Sequence, residues 1–96
     1  MKSTLLHGTK YLFTDGALLE IRIWLVPAPV PPSRHSLKYR MVYVVEGERI
    51  IGYDNERSKG DHRHVRGVET PYEFESIEKL LADFRADVEA VRGSPI

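Results

Sequence analysis

Between the pair Asp15-Gly16 and a proline-rich segment at 26–35, the chain alternates apolar and polar residues with the period of two that belongs to a β-strand. Leu19, Ile21, Ile23 and Leu25 point one way, while Glu20, Arg22 and Trp24 point the other. One face of this strand is core and the other is at least partly wet, so the chain needs a sheet with one covered face. Asp15-Gly16 reads as a two-residue type I′ turn, because Asp and Gly tolerate positive φ, and it predicts a hairpin of strands near 9–14 and 17–26. The segment VPAPVPPSRH at 26–35 holds four of the six prolines. Proline fixes φ and removes a backbone donor, so this piece reads as an extended or polyproline-like loop outside the central sheet.

A third strand is expected at 37–46, with Tyr39, Met41, Tyr43 and Val45 on one face and Lys38, Arg40, Val42 and Val44 on the other. Glu46-Gly47 turns the chain into a fourth strand at 48–54, and a short strand is expected around 72–74. Ser76 is the expected N-cap of a helix running to Arg92, because its hydroxyl can accept a hydrogen bond from a first-turn N–H. Ile77, Leu80, Leu81, Phe84, Val88 and Val91 form an apolar stripe along it, and Gly93 and Pro95 stop it. The stripe needs a partner, and the apolar sheet face is the sizeable one on offer. The expected fold is therefore α+β, an antiparallel four- to five-stranded meander packed on one face by the C-terminal helix. It forms a single domain over 1–96, with 93–96 as a short tail. Glu20, Arg22, Trp24, Lys38 and Arg40 are left on the other face for solvent, a ligand or a partner.

At 96 residues there is room for one core and no large multi-part active site. Hydrophobic residues at 42% and charged residues at 29% describe a folded globular chain. With 14 Lys+Arg against 14 Asp+Glu the chain lacks the overall basic excess of many nucleic-acid binders, although a local basic patch stays open. The absence of cysteine excludes disulfides, thiolate metal sites and thiol catalysis. No run approaches the ~18 apolar residues of a membrane span, and MKSTLLHGTK has no apolar core for a secretory signal. A cytoplasmic protein without membrane contact is the expectation.

The stretch YDNERSKGDHRH at 53–64 carries more chemistry than a turn needs. Three readings compete. In the first it is a hydrated loop, since Asn55, Ser58, Gly60 and Asp61 are common turn residues. In the second, Asp54, Asp61, His62 and His64 hold a metal, as imidazole and carboxylate suit zinc, manganese or iron. Against this, His62 and His64 share a face of an extended segment while Asp61 points away, and no familiar ligand spacing is present. In the third the segment cuts RNA without metal or cofactor. His62 and His64 would take and give the protons, Lys59, Arg57 and Arg63 would meet phosphate charge, Lys38 and Arg40 would extend the patch, and Tyr53 or Trp24 would stack on a base. Trp24 equally fits a packing or interface anchor. His7 and His35 read as surface residues, and the helix charges as a solvated face.

The order FTDGALLEIRIWLVPAPVP, KYRMVYVVEGERIIGYDNERSKGDHRH and PYEFESIEKLLADF resembles the TumE-like toxins of bacterial toxin–antitoxin pairs, over about residues 8–92. The most specific parts are YDN at 53–55, KGDHRH at 59–64 and the Trp24–Pro27 run. The resemblance implies a growth-inhibiting protein encoded beside a helix-turn-helix DNA-binding antitoxin. Matched residue by residue, it places Tyr53, Asp54, Asn55, Lys59, Gly60, Asp61, His62, Arg63 and His64 in the site, with no departure inside the motif. The chemistry then reads as follows: His64 and His62 exchange protons, Lys59 and Arg63 stabilise phosphate charge, and Asp61 orients a histidine. A binding module that grips nucleic acid or antitoxin through the same patch, a metal-dependent nuclease, and a homodimer all stay open.

Overall fold

The computed structural model describes residues 2–96. Six strands, β1 (Thr4–Leu12), β2 (Leu18–Leu25), β3 (Leu37–Val45), β4 (Glu48–Glu56), β5 (Gly60–Val65) and β6 (Val68–Pro71), precede one helix, α1 (Ile77–Arg92). The strands form one antiparallel sheet in chain order, β1-β2-β3-β4-β5-β6. The α+β meander and its C-terminal helix are as expected, but six strands replace the four to five. The charged segment from Gly60 onward is itself strand β5, and β6 ends at Pro71 instead of covering 72–74.

Alternation fixes which side chains meet the helix. Ile23, Tyr39, Met41, Ile51 and Tyr53 from the sheet and Leu80, Phe84 and Val88 from the helix are at most 2% exposed and form the core. Burial of each large apolar side chain contributes roughly 1.5–3 kcal/mol, so this one layer dominates the stability. The helix begins and ends as its sequence dictates. Ser76 Oγ accepts from Lys79 N–H at 3.1 Å, and Gly93, at φ 74°, sends its N–H to Glu89 O at 2.8 Å.

The first hairpin differs from expectation in its turn. Phe13 N–H bonds Ala17 O at 2.8 Å and Gly16 N–H bonds Phe13 O at 3.0 Å, and only Gly16 there has positive φ. This is a three-residue loop with glycine in the left-handed position, not a type I′ pair at Asp15-Gly16. The pairs with positive φ at both residues are Glu46-Gly47 and Arg66-Gly67. Each closes a two-residue hairpin, with Val45 opposite Glu48 and Val65 opposite Val68. The second of these turns folds β6 back onto β5.

Candidate functional site

Residues facing one another across an antiparallel pair share a side of the sheet. On β4 and β5, Asp54 opposes His62 and Gly52 opposes His64, while Tyr53 opposes Arg63 and Asn55 opposes Asp61. The first two pairs lie on the open side, and the last two lie on the helix side with the core. The expected site residues are therefore split between two faces.

On the helix side each polar group has partners. Asn55 is fully buried; its Oδ1 accepts from Tyr39 N–H at 2.9 Å and its Nδ2 donates to Leu37 O at 2.7 Å and Ser33 Oγ at 3.4 Å. Asp61 accepts from Ser33 Oγ, from His35 Nε2 at 2.7 Å and from Tyr39 O–H at 2.7 Å. The histidine that Asp61 orients is thus His35, not His62 or His64. His35 is not the free surface residue expected: its Nδ1 accepts from Leu37 N–H at 3.2 Å and its ring lies 4.1 Å from that of Phe74. Together these bonds pin the proline-rich loop to the sheet. Arg63 forms a two-pronged bond to Asp87, Nε to Oδ2 and Nη2 to Oδ1, both at 2.7 Å, and also donates to Tyr53 Oη at 3.0 Å. Tyr53 is 2% exposed and its own O–H donates to Asp87, so it is packed in the core and not placed to stack on a base. Burial first, then the Asp87 carboxylate, push its phenol well above the ordinary value.

On the open side the groups converge with fewer partners. His62 is 4% exposed, and its Nδ1 lies 3.1 Å from Gly60 O. A carbonyl only accepts, so this nitrogen carries a hydrogen and Nε2 is left to face the carboxylate across the strand pair. That Nε2 touches Asp54 Oδ1, a buried oxygen with no hydrogen-bond partner besides this ring. Ligand-capable atoms of Asp54, His62 and His64 all lie within 4.8 Å of one another. Glu69, opposite His64 on β6, brings Oε1 to 3.6 Å from His62 Nε2 and 3.8 Å from His64 Nε2. Lys59 Nζ holds that same oxygen at 2.7 Å and keeps the Glu69 carboxyl below its usual range.

His64 is 84% covered at its side chain. Burial first, and then the Arg49 guanidinium, press its imidazole below the ordinary value. Arg49 reaches it because Gly52 has no side chain: a Cβ there would stand 3.0 Å from Arg49 Cδ. Further along the face Arg40 opposes Asp54 and pairs with Glu20 at 3.5 Å, and Lys38 donates to Asn55 O. Partly buried Trp24 stands opposite Lys38. Glu69 and Arg49 were not among the expected site residues. Reading Arg66-Gly67 as a two-residue turn would have found Glu69, since it sets Glu69 across from His64.

These features define a small α+β domain whose open sheet face carries a histidine–carboxylate cluster with cations beside it. The model of the TumE family, described as Toxin TumE, matches residues 3–92, and the chain belongs to that family. It is thus a toxin of the toxin–antitoxin kind, with an antitoxin as its general partner. No curated protein and no solved structure matches the chain. No helix among the described residues is long and apolar enough to cross a membrane.

Proposed function

We infer that this toxin acts by cutting RNA on the open face of its sheet. The observation that carries the reading is the convergence of Asp54, His62, His64 and Glu69 beside Lys59 and Arg49, on a face that the core does not need. Phosphodiester cleavage asks for groups that handle a proton and for cations that meet phosphate charge, and both kinds stand here. Lys59, Arg49, Arg40 and Lys38 supply the cations, and Trp24 at the far end of the face supplies a stacking surface.

The division of labour differs from the one read from the sequence. Asp61 and Arg63 belong to the fold, so neither orients His62 nor holds phosphate. An exchange of protons between His62 and His64 loses one member, because His62 is buried with one nitrogen on Gly60 O and the other against Asp54. His64 is the histidine of the pair with more of its side chain exposed.

Incubation of the purified chain with total cellular RNA tests the reading, with His64→Ala and Lys59→Ala beside it. Cleavage lost about a hundredfold or more in His64→Ala is the expected result. Intact RNA retained on the protein at every concentration contradicts it and makes the face a binding surface. In this reading the silencing partner is a helix-turn-helix DNA-binding antitoxin, and copurification with the product of an adjoining gene tests that part. The site of action is the cytoplasm, where RNA is met.

A further inference from the structure

We propose that Asp54, His62 and His64 form a site for a divalent transition-metal ion of the zinc type on the open face of the sheet. One imidazole is already oriented as a ligand. His62 Nδ1 donates to Gly60 O at 3.1 Å, the outer hydrogen bond that fixes the tautomer of a ligating histidine and leaves Nε2 as the donor to the ion. Nε2 meets Asp54 Oδ1, which is buried and has no hydrogen-bond partner besides this ring. A buried carboxylate oxygen against an imidazole calls for a positive charge between the two groups, supplied by a proton on Nε2 or by a metal ion that displaces it.

His64 completes the set, with the three ligand atoms within 4.8 Å of one another. Zinc bonds of about 2.0–2.2 Å place the ligands of one ion about 3–4 Å apart, so the site closes when the Asp54 carboxylate draws back from His62 Nε2 and the His64 ring swings in. Two imidazoles and one carboxylate suit zinc and its neighbours in the first transition row, and three protein ligands leave a position open to the face. Glu69 Oε1, 3.6 Å and 3.8 Å from the two Nε2 atoms, borders that position and is balanced by Lys59. All three ligands stand on paired strands, with Asp54 directly opposite His62 and His64 two residues along the same face, so no loop has to order around the ion. Asp61, grouped with them on sequence alone, lies on the opposite face and is no ligand. The proposal replaces the expectation of a cofactor-free site. Ion binding stands on its own; only its consequence, that the loaded toxin cuts RNA through the ion, rests on the preceding reading.

Co2+ serves as the probe, because its visible absorption reports the ligand set. The whole chain, dialysed against chelator, is titrated with Co2+ and then with Zn2+ in competition, beside Asp54→Asn, His64→Ala and His7→Ala, and each protein is assayed on RNA with and without chelator. The expected result is one ion per chain, bound more than about tenfold more weakly by Asp54→Asn and His64→Ala and unchanged by His7→Ala. His64 is the most exposed of the three ligands, and a circular dichroism spectrum of its variant that matches the parent's separates a lost ligand from a lost fold. No saturable Co2+ spectrum, or equal binding by all variants, overturns the proposal. Ion binding without RNA cleavage overturns the RNA reading and leaves the site standing. Cleavage that survives chelation in a chain that takes up no Co2+ does the reverse.

Discussion

Asp61 and Arg63 alternate along one strand with His62 and His64, yet the two pairs live in different physical situations. On the helix side Asp61 has three hydrogen-bond donors and Arg63 a two-pronged carboxylate, so their charges close upon the fold. On the open side Asp54 Oδ1 is buried with only the His62 ring against it, and His62 has no partner beyond Gly60 O and the carboxylates of Asp54 and Glu69. Satisfied polar groups hold structure, whereas convergent unsatisfied ones are available for chemistry. A motif of adjacent residues can thus be half scaffold and half site, divided by the pleat of one strand.

The comparison is broken most forcefully from the helix side. Asp61→Ala strands the hydroxyls of Tyr39 and Ser33 and the N–H of His35, and unfolding in urea should show a loss of about 3 kcal/mol. The protein that remains folded should keep its RNA-cutting rate. Arg63→Ala should cost less, about 1–2 kcal/mol, because its guanidinium is 37% exposed and solvent weakens the bond to Asp87. Removal of the Ser76 cap by Ser76→Ala should lower stability by about 1 kcal/mol with no change in the open face. At the small end, Asp54→Asn should change stability by less than about 1 kcal/mol while abolishing cleavage. A loss of stability in Asp54→Asn as large as that of Asp61→Ala would erase the distinction between the faces.

Much of the fold was legible because apolar periodicity speaks plainly. Leu19, Ile21 and Ile23, and the stripe from Ile77 to Val91, each pointed to their covered face, and Ser76 and Gly93 marked the helix ends. Strand β5 was silent for the opposite reason: Asp61, His62, Arg63 and His64 are polar on both sides, so alternation carries no hydrophobic signal. Its helix side is polar because Asp87, His35 and Tyr39 supply partners from distant parts of the chain, which no local pattern reveals. The same distance hid His35, whose ring reaches Asp61 across 26 residues. The turn at Asp15-Gly16 was misread by one residue, since Asp-Gly serves a three-residue loop as readily as a two-residue one.

The most direct measurement is the RNA-cutting rate per folded molecule of His64→Ala beside Arg63→Ala, two neighbours on one strand that face opposite ways. The account predicts a loss of about a hundredfold or more for His64→Ala and an unchanged rate for Arg63→Ala, whose deficit appears only in unfolding. Equal losses of rate in the two variants, or a loss confined to Arg63→Ala, would contradict it.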